Sequence, residues 1–250
     1  MTTTFFLTAM LLIFGLPAVS GDPPKSTPAD SDPNVVMKSV LGAIKKFETI
    51  SYTVNYKANG WIADFVPTIK ATVLMAHDAP NKAARFRATL SILEKDAKEP
   101  VEIEAGADGE VFYLVDKKTK TLHADIDSAV LGRNGWNIFI AKINELSDPK
   151  TFEDDIHSVE MTRLDDKTVA GVECLGLRFK PKNGAKTDWY VSKKDFLPRL
   201  ILHTYPGDPK QGDATDETTL TELVVNPKTP DKPFALIVPE GFKKTDDFAP

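Results

Sequence analysis

Cysteine is nearly absent from this sequence, whose 250 residues include a single one, Cys174. An internal disulfide is therefore excluded, and stability must come from a hydrophobic core, which a chain of this length can build. Cys174 lies in the apolar run Val169–Phe179. We therefore expect a buried small hydrophobic residue there rather than a reactive thiol.

The motifs of common catalytic and metal sites are also missing. The sequence has no His-Glu-x-x-His, no cysteine pair, no Gly-x-Ser-x-Gly and no glycine-rich phosphate loop. Its four histidines lie in separate contexts, so no cofactor and no metal site is predicted. One spacing leaves an alternative open. In an extended chain His123, Asp125 and Asp127 share a face, which suits a metal or an acid–base pair as well as a solvated strand edge.

An excess of positive charge is absent as well, since the formal net charge is -5. Proteins that bind nucleic acid need clustered lysine and arginine. No nucleic acid partner is predicted, and the negative charge is typical of a soluble surface.

The apolar run Phe5–Leu16 is too short for a membrane span, which needs about 20 residues. Ala18 and Ser20 follow it as the small residues of a cleavage site. Residues 1–20 are therefore predicted to be a signal peptide cut after Ser20, with an uncleaved anchor or a buried helix as the alternative. A periplasmic or secreted protein, not integral to the membrane after processing, is expected.

A Pro-rich stretch follows the predicted signal peptide. Four prolines among polar residues make 21–33 a disordered spacer. The remaining residues, 34–250, are predicted to form a single domain. With 42% hydrophobic and 27% charged residues in the whole chain, a globular fold is the default.

The domain begins with a helical pattern and then changes to a strand pattern. Val36, Val40, Ile44 and Phe47 recur at helical spacing, and Asp32 or Asn34 is suited to cap the helix. The apolar period then becomes two, which is typical of strands that bury one face. The predicted strands are Ile50–Lys57, Thr68–His77, Ala83–Ile92, Val101–Glu104, Val111–Val115, Thr121–Asp127, Ser158–Leu164, Val169–Phe179, Thr187–Val191, Leu197–Thr204, Thr218–Val225 and Phe234–Val238.

Several turns are predicted between these strands. Asn59-Gly60 is a hairpin signal, and Asp165-Asp166-Lys167-Thr168 is taken as the turn before the strand at Val169. Gly171, inside that strand, predicts a bulge or a close backbone approach. Pro198 is placed near the beginning of a strand, where a missing N–H is tolerated.

Residues Ser128–Leu146 interrupt the strand pattern and are named here the helical insertion. They lose the alternation and are rich in apolar residues, which indicates one or two short helices. About ten strands in one open sheet must curl or close. The predicted fold class is therefore mainly β (α+β). It is a strongly curved antiparallel sheet, an incomplete β-barrel, with an N-terminal helix and the helical insertion as plug or lid; a closed barrel or a sandwich is the alternative.

Five segments of the carboxy-terminal third resemble a known family. They are Val169–Cys174, Asp188–Val191, Leu197–Ile201, Leu223–Lys228 and Val238–Phe242. The resemblance is to a predicted periplasmic protein family of unknown function in the outer-membrane lipoprotein carrier (LolA/LolB-like) superfamily. It implies an incomplete β-barrel with an apolar concave side that is closed by helices and holds acyl chains or a partner protein. It also implies no shared catalytic residues.

The departure from that family lies before Leu197-Pro198. The family commonly has an Asp-x-x-Thr-Gly-like turn there, whereas this chain has Ser192-Lys193-Lys194-Asp195-Phe196. The functional arginine of the carriers has no evident counterpart. The resemblance therefore bears on fold and compartment more than on cargo.

The leading functional hypothesis is an exported non-enzymatic protein that binds an apolar ligand, a lipid or an acylated protein, inside the curved sheet. An envelope protein-interaction or sensing module is the second. A hydrolase is the third, and it would need His123 clustered with Asp125 or Asp127 in a cleft. The residues predicted to line the apolar cavity, which are ordinary core residues in the alternative view, are Tyr52, Val54, Tyr56, Val73, Met75, Phe86, Leu90, Trp136, Ile138, Phe139 and Ile140.

Overall fold

A computed structural model describes residues 32–76, 85–147, 160–180, 185–207 and 209–250. The predicted signal peptide and nearly all of the predicted spacer lie outside the described residues, as do His77 and His157. The division into leader, spacer and domain therefore stays a prediction. None of the helices within the described ranges is long and apolar enough to cross a membrane.

The first element is helix α1, Pro33–Ile44. Asp32 caps it by accepting a hydrogen bond from the Asn34 N–H at 2.9 Å, and Pro33 occupies the first turn, where its missing N–H costs nothing. The apolar stripe of α1 is fully covered, since Val36 and Val40 are at most 1% exposed. This confirms the helix that the spacing predicted.

Within the described ranges, twelve strands form one sheet. Their bounds are β1 Thr49–Asn59, β2 Thr68–Ala76, β3 Arg85–Leu93, β4 Val101–Asp108, β5 Phe112–Asp116, β6 Thr121–Asp125, β7 Glu160–Val169, β8 Val172–Lys180, β9 Lys186–Ser192, β10 Pro198–Tyr205, β11 Ala214–Val225 and β12 Lys243–Thr245. Their order across the sheet is β12-β6-β5-β4-β3-β2-β1-β11-β10-β9-β8-β7, and β12 and β7 are the outer strands.

The sheet is curved and does not close into a barrel, as predicted. Burial alternates along β1, β2 and β3, because one face of each strand points to the concave side and the other to solvent. Neighbouring strands place their inner residues side by side: Tyr52 pairs with Val73, and Val73 with Ala88. The concave side is therefore a continuous apolar surface.

The helical insertion folds as predicted into short helices. A 3-10 helix, Ser128–Leu131, is followed by α2, Asn134–Ile140, and α3, Ile143–Ser147. Asp127 caps the first of these by accepting from the Ala129 N–H at 2.9 Å. The buried residues of α1, of the helical insertion and of the inner strands belong to one hydrophobic core.

One predicted turn and one predicted bulge in this region are wrong. β7 continues through Asp165-Asp166-Lys167-Thr168 to Val169, with a register shift between Leu164 and Lys167, so the irregularity is a bulge and not a turn. The chain reverses at Ala170-Gly171 instead. Both residues have positive φ (47° and 80°), the conformation of a tight two-residue hairpin, so Gly171 serves the turn and not a bulge.

Two further details differ from the sequence prediction. The chain after Asn59 forms a 3-10 helix, Gly60–Asp64, rather than a tight hairpin. The segment predicted as the last strand, Phe234–Val238, forms no strand; prolines border it on both sides and donate no N–H. The last strand is β12, which pairs in parallel with β6 and is the one parallel partner among the described strands.

Candidate ligand-binding site

The inner face of β1–β3 gathers most of the predicted cavity residues. Nine of the eleven are buried members of the single main core: Tyr52, Val54, Tyr56, Val73, Met75, Phe86, Leu90, Ile138 and Ile140. Seven of these come from the strands and two from α2. The concave face and the helical insertion therefore meet along this apolar surface.

The other two predicted residues lie on the outside of the helical insertion. Trp136 is 59% exposed and Phe139 is 40% exposed. Their rings stack on each other with centroids 5.5 Å apart. Because α2 turns Ile138 and Ile140 towards the core, Trp136 and Phe139 form an outward aromatic pair, separate from the nine buried residues.

Among the described side chains, Tyr52 of β1 provides a polar contact between the sheet and the helical insertion. The hydroxyl of Tyr52 donates to the carbonyl oxygen of Ala141 at 2.9 Å. Burial, and secondarily the charge of Glu145, raises the pKa of Tyr52 well above its usual value. This hydroxyl therefore stays protonated and fixes the turn between α2 and α3.

That turn carries a charged pair into the protein interior. Lys142 has a positive φ of 63°, and its Nζ lies 3.0 Å from Oε1 of Glu145. Their side chains are only 10% and 13% exposed. The second carboxylate oxygen, Oε2 of Glu145, is buried without a hydrogen-bond partner. Such a buried acceptor costs about 1–3 kcal/mol.

Three more polar side chains lie on the inner face of β10 and β11. Asp216 is opposite His203 in the register, and its Oδ1 lies 2.7 Å from Nδ1 of His203. The Tyr205 hydroxyl donates to Oδ2 of Asp216 at 2.8 Å. We name Lys142, Glu145, His203, Tyr205 and Asp216 the polar cluster.

The pKa of Asp216 reflects its burial and its polar neighbours. Burial alone would raise the pKa of Asp216. Hydrogen bonds from His203 and Tyr205, together with the charges of His203 and Lys142, have a larger effect and lower this pKa. Asp216 is therefore a carboxylate at neutral pH. Tyr56 adjoins it, and burial followed by the charge of Asp216 raises the pKa of Tyr56 to about 12.

Trp61, from the 3-10 helix after β1, borders the polar cluster. Its ring meets the Tyr205 ring edge-on, with centroids 6.5 Å apart and an interplanar angle of 65°. Its Nε1–H is buried and has no hydrogen-bond partner. Trp61 Nε1 is thus an unpaired donor on the residue that packs against Tyr205.

The sequence did not reveal the polar cluster. His203 and Tyr205 alternate along β10, and Asp216 begins a similar alternation in β11, so the shared face was visible. Their pairing across two strands, and the approach of Lys142 from the helical insertion, depend on a register that no local pattern specifies.

The sequence left open a metal site or an acid–base pair formed by His123 with Asp125 and Asp127. A polar concavity of about 240 Å³ at the β6–β12 edge is lined by Asp116, Thr119, Thr121, His123, Lys243, Thr245, Asp247 and Pro250. The residues expected beside His123 are engaged elsewhere: Asp125 accepts from the Asp127 N–H, and Asp127 caps the 3-10 helix. The acid–base group of His123 with Asp125 or Asp127 is therefore not assembled.

Among the described residues, no group of three or more His, Cys, Asp or Glu side chains is arranged to hold a metal ion. The polar cluster instead contains the Lys142–Glu145 ion pair of the helical insertion and the hydrogen bond between His203 and Asp216 in the sheet. These pairs border an apolar surface rather than a cleft open to solvent.

Fold and site together define an incomplete β-barrel whose apolar concave face is covered by helices. The solved structure of MucB is similar in fold, with a TM-score of 0.52 and 12% sequence identity over 82% of this chain. The chain spans 62% of the length of MucB. No family model matches the sequence, and no curated protein matches it significantly.

Two further solved structures agree less closely. LprF from Mycobacterium bovis gives a TM-score of 0.47 at 9% identity, covering 83% of this chain and 97% of its own. LppX from Mycobacterium tuberculosis gives 0.45 at 10% identity, covering 82% of this chain and 100% of its own. The MucB likeness supports the curved-sheet fold that the family resemblance implied, while membership of that family stays a prediction.

Proposed function

We propose that this chain is an exported, non-enzymatic protein that binds an apolar ligand, a lipid or an acylated protein, between the concave face and the helical insertion. One observation carries the proposal. The apolar inner face is covered by a separate helical segment that is hydrogen-bonded to the sheet through Tyr52 and Ala141 and that buries a charged pair with one unpaired carboxylate oxygen. Such a segment is suited to move aside and admit an acyl chain.

The energetics of acyl binding agree with this role. Each buried CH₂ contributes about 0.8 kcal/mol, so a single chain laid along the inner face supplies useful affinity. The predicted contacts are the nine buried residues named above, seven on the concave face and two on α2. Trp136 and Phe139, also predicted to contact the ligand, would do so only if the helical insertion turned over.

The test is mass spectrometry of lipid extracted from protein purified under native conditions. Ala88 lies at 0% exposure on the inner face, and the neighbouring Thr89 points outward. We expect Ala88→Leu to fill the inner face and reduce the co-purified lipid. Thr89→Leu adds the same side chain outside and should leave the lipid unchanged, with circular dichroism confirming that both variants fold. Wild-type protein with no bound lipid and no affinity for acyl probes would contradict the proposal.

A protein-interaction or sensing module is the second candidate, favoured by the aromatic pair. Trp136 and Phe139 present stacked rings to solvent, and exposed aromatic residues are enriched where proteins bind partners. This role predicts a protein recovered from envelope extract by wild-type protein that carries no lipid. The double variant Trp136→Ser, Phe139→Ser should lose that partner, whereas loss of lipid alone would favour the first candidate.

A further inference from the structure

The chain after β12 returns to the helical insertion. β12 is an outer strand and pairs with β6 over three residues, Lys243–Thr245. The chain then turns at Asp247, whose N–H donates to Oγ1 of Thr245 at 3.2 Å while that hydroxyl donates to Oδ2 of Asp247 at 2.9 Å. This turn directs the Asp246–Pro250 segment from the edge of the sheet towards the 3-10 helix of the helical insertion.

Ala249 fastens the Asp246–Pro250 segment to the helical insertion. Its N–H donates to the carbonyl oxygen of Val130 at 2.8 Å. Its side chain is 5% exposed and belongs to the main hydrophobic core, whereas the neighbouring Phe248 is 69% exposed. The two backbones approach so closely that a Cβ at Gly132, where φ is 56°, would overlap the carbonyl oxygen of Ala249. Glycine is therefore needed at this contact.

A second contact holds the same segment to the sheet. Nδ1 of His123, a residue of β6 that is 7% exposed, lies 2.9 Å from the carbonyl oxygen of Asp247. Because a carbonyl oxygen only accepts hydrogen bonds, the imidazole donates from Nδ1. The Asp246–Pro250 segment therefore bridges the edge of the sheet and the beginning of the helical insertion.

These contacts are small enough to break without unfolding the sheet. β12 is held by a single neighbouring strand through a short parallel ladder, a pairing slightly less stable per residue than an antiparallel one. Ala249 contributes one backbone hydrogen bond and one buried methyl group to the helical insertion. Elements with few buried contacts open at a lower free energy than the core. The segment is thus suited to detach and reattach while the rest of the sheet stays folded.

We propose that the Asp246–Pro250 segment is a latch that holds the helical insertion closed, and that its release precedes the entry of an acyl chain onto the concave face. This inference rests on the proposed lipid-binding function and adds to it the step that controls access. The hydrogen bond from Tyr52 to Ala141 fastens the turn between α2 and α3. Ala249 fastens the 3-10 helix, so the helical insertion is held at two separate places.

The test compares one substitution at two neighbouring positions of the full chain. Ala249→Glu cannot keep its side chain in the core and should detach the segment, whereas Phe248→Glu adds the same charge at an exposed position. Amide hydrogen exchange in the 3-10 helix, α2 and α3 should be about 20-fold faster in Ala249→Glu, the effect of losing one hydrogen bond and one buried methyl group. Exchange in α1 should stay unchanged, and Phe248→Glu should match the wild type.

A second variant avoids placing a charge near the core. Ala249→Pro removes the N–H that donates to Val130, and exchange in the helical insertion should be about 5-fold faster, as expected for one hydrogen bond. Circular dichroism confirms that both variants at this position keep the sheet.

Uptake of a pyrene-labelled fatty-acyl methyl ester, followed by stopped-flow fluorescence, tests the link to ligand entry. Because only the open state admits the acyl chain in this proposal, the uptake rate should rise with the population of that state. We therefore expect uptake to be about 20-fold faster in Ala249→Glu and about 5-fold faster in Ala249→Pro, and unchanged in Phe248→Glu.

The outcomes separate this inference from the proposed function. Unchanged exchange in both variants of Ala249, or equally faster exchange in α1, would show that the segment is not a latch, and lipid binding would stand. Faster exchange of the helical insertion with an unchanged uptake rate would show that its release does not control entry. If the wild-type protein binds no acyl probe, the proposed function fails and control of entry fails with it, while hydrogen exchange still decides whether the segment holds the helical insertion.

Discussion

Helix α1 and the helical insertion cover the same concave face with different chemistry. The buried stripe of α1 is entirely apolar, and Asp32 satisfies its N-terminal backbone. The helical insertion buries Ile138, Ile140 and Leu146, but it also buries the Lys142–Glu145 pair with one unpaired oxygen. A cover with only apolar contacts is permanent, whereas a cover that holds buried charge gains solvation when it opens. We therefore interpret α1 as fixed core and the helical insertion as the moving part.

The largest expected effect is a difference in the free energy of unfolding between a variant of α1 and a variant of the helical insertion. Ile44→Ala in α1 should lower the free energy of unfolding by about 3 kcal/mol, because Ile44 is fully buried and leaves a cavity. Ile140→Ala in the helical insertion should lower it less, since the loss cannot exceed the free energy of opening the insertion locally. Urea denaturation of both variants measures this. Equal losses would show that the helical insertion is as permanent a cover as α1.

Alkaline pH should lower the stability of the folded protein through Tyr56 on the concave face. Burial raises the pKa of Tyr56 to about 12, from a usual value near 10. The neutral hydroxyl is thus favoured in the folded protein: its contribution is complete below about pH 10 and is lost as the pH rises through about 12. In Tyr56→Phe this part of the alkaline loss, about 1–2 kcal/mol with allowance for screening by water, should disappear. Denaturation at pH 8 and above pH 10 checks it, and the same alkaline loss in both proteins would contradict it.

A smaller effect is expected from the Tyr52 hydroxyl, which links β1 to the helical insertion. Tyr52→Phe removes the hydrogen bond to Ala141 and should weaken closure of the helical insertion by about 1 kcal/mol. Hydrogen exchange of the α2 and α3 amides should then be about 5-fold faster, while that of α1 stays unchanged. Tyr113→Phe is the control, because Tyr113 is buried in a separate cluster with Val115 and Leu122. Faster exchange in α1 as well would show that the two covers open together.

The smallest effect concerns the outer surface of the helical insertion. Trp136→Ser should change the free energy of unfolding by no more than about 0.5 kcal/mol, because the side chain is 59% exposed and stacks mainly on Phe139. Thermal unfolding and acyl-probe displacement, measured together, test this. A large loss of stability would mean that the aromatic pair belongs to the cover, and lost probe binding with retained stability would mean that it contacts the ligand.

Much of the fold was predictable from local pattern. Helical periodicity places Val36, Val40 and Ile44 on one face of α1. Asp32, before Pro33, caps the helix and marks where it begins. Along β1, the period of two assigned Tyr52 and Val54 to a buried face without knowledge of any neighbour. Helix and strand geometry alone converts these spacings into faces. The nine buried residues of the candidate site were accessible to prediction for the same reason.

Tertiary structure decided which faces meet. Tyr52 reaches Ala141 across 89 residues, and His203 reaches Asp216 through a strand register that the turn between them does not specify. α2 has only seven residues and is apolar on several sides, so its sequence could not tell that Trp136 turns outward while Ile138 turns inward. A periodic pattern determines the face of an element, but the partner of that face depends on long-range packing. The sequence by itself therefore determined a helix-covered curved sheet, and only the tertiary structure paired His203 with Asp216 and turned Trp136 outward.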